Sequence, residues 1–217
     1  MNAMISRLVA LGALLAGSAF AQSPDVGLVN MLSGEVSYQS DGASATKAQA
    51  FMKVRQGDRF TVPGGAQMRV VYFNGGRQET WRGPATFRAG AQQSEGAQPA
   101  AVSTLPSGVP QKISQVPELV QIAKLGRSGG VNIRGGGKPP RLTSEQQAEV
   151  AAAKNTYKQM RTQSPVEDIT PELFLYSVLQ EHLLYDDMRP VVEEMAKRQP
   201  NSAEVRELAS WVKSRTQ

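Results

Sequence analysis

The chain has no cysteine and only one histidine, His182, among its 217 residues. Disulfides, cysteine nucleophiles and thiolate zinc sites are therefore excluded. His182 lies between Glu181 and Leu183, and no G-x-S-x-G nucleophile elbow accompanies it. The sequence predicts no catalytic residue, no metal site and no cofactor, so a non-enzymatic protein is expected.

Carboxylates offer the remaining route to catalysis, in the form of the acid–base pairs used by glycoside hydrolases. Glu35, Asp58 and Glu79 are the candidates in the N-terminal half. Asp58 follows Gly57 in a predicted turn, where an aspartate commonly bonds its own backbone. We therefore interpret Asp58 as a structural residue.

Long apolar runs are also scarce. The apolar run at residues 8–21 is shorter than the roughly 20 residues of a transmembrane helix. It follows Arg7 and ends in small residues around Phe20, the pattern of a secretory signal peptide cleaved between Ala21 and Gln22. We expect a signal peptide at residues 1–21 and a periplasmic protein with no stable membrane span. No cysteine follows the cleavage site, so a lipoprotein is not expected.

Acidic residues are scarce outside the C-terminal third. Residues 23–91 carry eight Lys or Arg against five Asp or Glu, residues 92–140 carry five against two, and residues 141–217 carry ten against twelve. This asymmetry predicts an acidic partner, or docking of one half of the chain on the other. Export argues against nucleic acid as that partner, because a basic exported protein meets anionic envelope polymers or acidic proteins instead.

Short strand-like segments separated by glycine turns fill residues 27–90. Leu32, Val36 and Tyr38 alternate with polar residues, a period of two that places them on one face of a strand. Later runs of strand length are bounded by glycine-containing breaks. An antiparallel all-β domain is therefore predicted at residues 22–91. We assign structural roles in it to Gly34, Gly57, Asp58, Asn74, Gly75 and Trp81.

The segment VVYFNGGRQETWRGPA, residues 70–85, predicts a β-hairpin. Asn74-Gly75 between two strand-like runs is typical of a type I′ turn, in which both central residues have positive φ. A two-residue register places Trp81 in the core, whereas a one-residue bulge places it beside Arg69. In the first register the core face comprises Met68, Val70, Tyr72 and Trp81. The opposite face, expected to be exposed to water, comprises Gln67, Arg69, Gln78, Thr80 and Arg82.

Three stretches together resemble the FecR-like periplasmic domain: LSGEVSYQ, QGDRFTVPGGAQMRVVYFNGG and GPATFRAG. The resemblance covers residues 27–90. It implies an all-β, non-catalytic module, which in regulator proteins transmits a signal from outer-membrane receptors. Those regulators place an anti-sigma segment and a membrane span ahead of the domain, whereas a predicted signal peptide stands there in this sequence. A signalling role is accordingly the less favoured expectation.

The rest of the chain is predicted as a linker followed by helices. Residues 92–140 are rich in proline and glycine, and only the amphipathic stretch 117–125 is expected to dock on a core. Residues 141–217 are predicted as a helical bundle, with a capping box at Thr143 and Gln146 and a second helix starting at Pro171. Its apolar spacing is similar to one tetratricopeptide repeat. The predicted fold class is segregated α+β.

Two functions are compatible with this organisation. The first is a periplasmic interaction module that binds an envelope protein or complex. The alternative is binding of an anionic glycan or polyanion, such as peptidoglycan, through strand arginines. The candidate binding residues are Arg69, Arg77, Arg82 and Arg88.

Overall fold

The structure is a computed structural model that describes residues 23–127 and 141–216. The predicted signal peptide and its cleavage site at Ala21 and Gln22 lie outside the described residues, as does the part of the predicted linker from 128 to 140. None of the described helices is long and apolar enough to span a bilayer.

The fold class is α+β with segregated elements, as predicted: strands occupy the N-terminal part and helices follow. The strands are β1 (Asp25–Ser33), β2 (Ser37–Gln39), β3 (Thr46–Lys47), β4 (Lys53–Arg55), β5 (Arg59–Val62), β6 (Gln67–Tyr72), β7 (Arg77–Arg82), β8 (Ala85–Ala89), β9 (Ser94–Gly96) and β10 (Ala101–Thr104). The helices are α1 (Val109–Ile113), α2 (Val116–Arg127), α3 (Ser144–Gln163), α4 (Thr170–Glu181), α5 (Tyr185–Arg198) and α6 (Ala203–Arg215).

The strands form two antiparallel five-stranded sheets that share one apolar core. Sheet A has the order β10-β7-β6-β1-β4, and sheet B has the order β3-β2-β5-β8-β9. Aromatic rings stack through this core from Tyr38 to Phe60, from Phe60 to Phe87 and from Phe87 to Trp81, with centroid separations of 5.8, 5.2 and 4.0 Å. The inward row of each strand is buried because side chains alternate between the faces of a sheet.

The β6–β7 hairpin has the two-residue register. Met68 pairs with Trp81, and Trp81 is fully buried. The turn itself differs from type I′, because the positive φ angles fall on Gly75 (81°) and Gly76 (64°) rather than on Asn74. Glycine adopts a positive φ without the steric cost that a Cβ atom imposes, so the second glycine takes that conformation in place of the asparagine.

The helices pack on the other face of sheet A. Leu28 and Val71, which point away from sheet B, share a second apolar core with Ile113 of α1 and Leu173 of α4. Sheet A is therefore the middle layer of three, with sheet B on one side and the helices on the other. Burial on both faces explains why β1 reads as a nearly continuous apolar strand rather than an alternating one.

Regular structure fills most of the described part, residues 92–127, of the segment predicted as a linker. Between residues 94 and 127 the chain forms β9, β10, α1 and α2, which corrects the linker prediction for its described part. Pro110 and Pro117 stand in the first turns of α1 and α2, where the missing N–H of proline costs little. The prolines thus mark helix starts. The stretch 117–125 does dock on a core, through Val120 and Ala123.

The C-terminal helices begin as their sequence indicates. Thr143 and Gln146 form the predicted capping box of α3, with both reciprocal hydrogen bonds present. The next helix, α4, starts at Thr170 with Pro171 in its first turn. Consecutive helices from α3 to α6 pack on one another, while α1 packs on α4 and α2 packs on α6. Residues 109–127 therefore belong to the same helical layer as residues 144–215.

Substituting Trp81 tests the inter-sheet core. Trp81→Ala should lower the free energy of unfolding by about 3–5 kcal/mol, because it removes a buried indole that stacks on Phe87. Arg82→Ala, a change at an exposed neighbour, should alter it by less than about 0.5 kcal/mol. Thermal and urea melts of the two variants beside the parent chain measure the difference. A Trp81→Ala protein that melts like the parent would contradict this account of the core.

Candidate functional site

The polar face of the β6–β7 hairpin is buried, although it was expected to be exposed. Arg69 is only 3% exposed, and Gln78 and Thr80 are also buried. The chain that leads into α4 covers them. This face is the place where the sheet and the helices meet through polar side chains.

Asp168 accepts hydrogen bonds or ion pairs from both halves of the molecule. Its carboxylate lies 3.2 Å from the guanidinium of Arg69 and accepts a 3.0 Å hydrogen bond from the Gln78 amide. The same carboxylate accepts a 2.9 Å hydrogen bond from the backbone N–H of Thr170 in the first turn of α4. A negative charge is favourable at a helix N-terminus, so Asp168 both starts α4 and fastens it to sheet A.

Neighbouring groups extend this contact. Arg69 donates a 3.0 Å hydrogen bond from Nε to the Thr80 hydroxyl, and Asn30 of β1 donates to the hydroxyl of Thr170. The charge of Arg69 is therefore neutralised inside the protein by Asp168. A structural role follows for Arg69, one of the four predicted binding residues.

A second buried charge cluster fastens the helices to one another. The buried carboxylate of Glu172 on α4 lies 2.9 Å from the guanidinium of Arg161 on α3 and 3.2 Å from that of Arg198 on α5. Tyr157 donates a 3.3 Å hydrogen bond to it. Burial raises the pKa of Glu172, and the two arginines oppose that shift. This cluster joins α3, α4 and α5 around one buried carboxylate.

The other predicted binding arginines lie in separate places. Arg77 forms a 2.6 Å contact with Glu79, which is buried and also accepts from the backbone N–H of Ser94. Arg88, on sheet B, donates a 3.3 Å hydrogen bond to the carbonyl of Gly57. Arg82 is exposed, and the described residues supply no ion pair to it. The four arginines therefore do not form one cationic surface.

The residues predicted to be structural occupy turns and the core. At Gly34, with φ of 81°, a Cβ would lie 2.8 Å from that of Ala66, so no side chain fits. Gly57 has φ of 97°, and Asp58 accepts from the backbone N–H of Arg55 at 2.9 Å and from the Ser40 hydroxyl at 2.7 Å. The exposed Asn74 and Gly75 form the tip of the β6–β7 turn.

One groove lies beside β10, and we call it the β10 groove. It has a volume of about 300 Å³ and lies between β7 and β10 on one side and the C-terminal end of α3 with the α3–α4 loop on the other. Arg82 lines it. The exposed Pro106 and Pro165 and the half-buried Leu105 also line it. Apolar side chains and an arginine without an ion pair thus meet at one open surface.

A larger groove, of about 830 Å³, separates the loops after β1 and β3 from the α5–α6 turn. Two of its cations are already neutralised, since Lys47 pairs with Glu35 at 2.9 Å and Arg198 pairs with Glu172. Lys124 is the third cation in its lining and has no ion pair among the described residues, so each of the two grooves offers one such cation.

His182 and the acidic side chains do not form a metal centre in the part of the chain that the structure describes. No cluster of three or more His, Asp or Glu side chains is suited to a metal ion within residues 23–127 and 141–216. His182 lies 3.1 Å from Glu149, which also pairs with Lys112 of α1 at 3.1 Å. The hydrogen bond from Lys112 is the main cause that lowers the pKa of Glu149. His182 is thus one member of an ion-pair cluster that joins α1, α3 and the end of α4.

Comparison with known proteins gives no match. No protein-family model, no curated protein and no solved structure matches this chain. Any function must therefore be argued from the surfaces described above.

Asp168 and its partners were not identified from the sequence. Asp168 stands two residues before the Thr170-Pro171 helix start, a position where an acidic side chain is favourable, and this is the one local signal that marks it. The identity of its sheet partners carries no local signal, because Gln78 is 90 residues away.

Removing the Asp168 carboxylate tests the joint between sheet and helices. Asp168→Ala should cost about 3–5 kcal/mol of unfolding free energy, because it leaves Arg69 as a buried charge without a counter-ion. Glu167→Ala is the matched control. Its carboxylate is half exposed and 3.9 Å from Arg69, so a loss below about 0.5 kcal/mol is expected. Urea denaturation measures both.

A double variant separates charge from packing. Arg69→Met/Asp168→Asn removes both buried charges and keeps an acceptor for Thr170, so it should be more stable than Arg69→Met or Asp168→Asn alone. If the double variant instead loses as much unfolding free energy as the two single variants added together, the two side chains do not interact.

Proposed function

We propose that this protein is an exported, non-catalytic interaction module that binds a protein of the cell envelope through the β10 groove. The observation that carries the proposal is that the exposed Pro106 and Pro165 line that groove together with Arg82. The exported, periplasmic location is part of the proposal and rests on the residue pattern that ends at Ala21.

The composition of the groove favours a protein partner. Arginine is enriched among the residues that contribute most to protein interfaces, and the buried centre of an interface is apolar. Arg82 can pair with a carboxylate of the partner, since the described residues leave it without a counter-ion. Leu105, Pro106 and Pro165 can bury against apolar side chains of the same partner.

The alternative, binding of a glycan or polyanion, needs several available cations on one face. Arg69 is buried against Asp168, Arg77 is paired with Glu79, and Arg88 lies on the other sheet. Only Arg82 combines exposure with a position in the β10 groove. A single cation fits the recognition of one carboxylate better than it fits a polyanion.

The resemblance to the FecR-like periplasmic domain is compatible with this proposal. That domain is an interaction module of all-β structure, and residues 27–90 lie within the two-sheet part of the fold. Under the proposal the module acts by binding in the envelope. Participation in signalling is the less favoured version of the proposal.

Export predicts a defined N-terminus. Protein recovered from a periplasmic extract should begin at Gln22, because the signal peptidase removes residues 1–21. N-terminal sequencing of that protein is the measurement, with Ala21→Asp as the variant that should block processing. An unprocessed chain that remains in the cytoplasmic fraction would remove the export part of the proposal.

Charge reversal in the groove tests the binding part. Arg82→Glu should lower recovery of the co-purifying envelope protein about tenfold or more, equivalent to about 1.4 kcal/mol, because the partner's carboxylate would then face a like charge. Arg59→Glu is the control, since Arg59 is exposed on sheet B and the charge change is the same. Affinity purification from envelope extracts followed by quantitative mass spectrometry measures recovery.

The same pair of variants distinguishes the alternative. Equal losses for Arg82→Glu and Arg59→Glu, together with binding to isolated sacculi that disappears in moderate salt, would support polyanion binding and overturn the groove proposal.

A further inference from the structure

Strand β10 is an open edge of sheet A. It pairs with β7 on one side and is the last strand in the sheet order. All four of its residues, Ala101 to Thr104, are exposed. Within the described chain no strand or helix covers its outer side. An uncovered edge presents backbone N–H and C=O groups that can pair with another strand.

The pairing with β7 determines which backbone groups are free. Leu105 donates its N–H to the carbonyl of Gly76, in register with the β10–β7 ladder. Hydrogen-bonding residues alternate along an antiparallel strand, so Ser103 and Ala101 also face β7. The N–H and C=O groups of Val102 and Thr104 therefore point outward.

The strand lacks the charged side chains by which many proteins protect an edge. Residues 96–111 contain no charged side chain, and the nearest charges are Glu95 and Lys112. The opposite edge of sheet A is protected, because β4 carries Lys53 and Arg55, which pair with Asp25 at 3.1 and 3.7 Å. Charged side chains disfavour strand addition, so only one edge of the sheet is available.

We propose that two copies of this chain pair edge to edge through antiparallel β10 strands. A two-fold axis beside Ser103 places Val102 of each copy opposite Thr104 of the other, and their outward N–H and C=O groups then bond reciprocally. Two uncharged strands meet without like-charge repulsion, even though the whole chain has a net charge of +5. This register satisfies the free groups of both copies at once.

This pairing stops at two copies, and it brings the two β10 grooves together. The protected β4 edge prevents addition of a third copy, so the product is a dimer whose two five-stranded halves form one continuous sheet. The axis is perpendicular to that sheet, so the helices and the β10 grooves of both copies lie on the same side. The dimer thus presents one longer trough. This inference concerns the protein alone and does not depend on the proposed envelope partner.

A single introduced cysteine tests the register. The two Ser103 residues would form a pair without direct hydrogen bonds, with Cα atoms about 4.5 Å apart, within the range of a disulfide. Because the chain has no cysteine, Ser103→Cys should give a disulfide-linked dimer under mild oxidation as the only cross-linked product. Ser107→Cys is the control; it is exposed but lies beyond the strand, and it should cross-link far more slowly. Equal rates for the two variants would overturn the register.

Proline at an outward position tests the edge itself. The purified chain should sediment with twice the monomer mass, and Val102→Pro should shift it to the monomer, because proline removes an outward N–H while the β7 ladder stays intact. Val102→Thr keeps the N–H and should remain dimeric. Circular dichroism confirms that both variants are folded.

A wild-type monomer at all concentrations, or a dimer that persists in folded Val102→Pro, would overturn the proposal. Loss of partner recovery with an intact dimer would count only against the envelope-binding function.

Discussion

The ion pair between Arg69 and Asp168 is the contact on which the arrangement of the layers depends. Both side chains are buried, and a buried charge without its counter-ion costs several kcal/mol. Sheet A cannot keep Arg69 buried without Asp168, and the helical part cannot keep Asp168 buried without Arg69. The carboxylate also accepts the N–H of Thr170, so the same group that fixes the sheet starts α4. Docking of the helices and formation of that helix are thereby coupled.

Sheet A has no solvated face over most of its length, and this explains how a chain without disulfides is held together. One face contributes Trp81 and Met68 to the inter-sheet core, and the other contributes Leu28 and Val71 to the helical core. Two cores built on one sheet bury more apolar surface than a small β-domain does alone. The ion pairs of Glu172 with Arg161 and Arg198 hold α3, α4 and α5 together.

Short sequence patterns predicted those features of the fold that depend on interactions between residues close in sequence. The hairpin register, the burial of Trp81, the capping box at Thr143 and the segregated fold class follow from turn chemistry and side-chain periodicity. The linker prediction was wrong for residues 94–127 because Pro110 and Pro117 occur where helices begin as well as where structure ends. The burial of Arg69 and Gln78 was missed because their partner, Asp168, is distant in sequence. Of the candidate site, the sequence indicated Arg82, whereas Pro106 and Pro165 line one groove only in the folded chain.

The hydrogen bond from Asn30 to Thr170 joins residues 140 positions apart, so the first strand meets its final partner only when most of the chain is present. Contacts of such long range make folding slow, because a large loop must close before they form. Until then Leu28, Val71 and the guanidinium of Arg69 remain hydrated on an incomplete sheet. The inter-sheet core uses residues 26–89 alone, whereas the second core of sheet A is complete only when the helices have been added, so the two faces of one sheet become buried at different stages of folding.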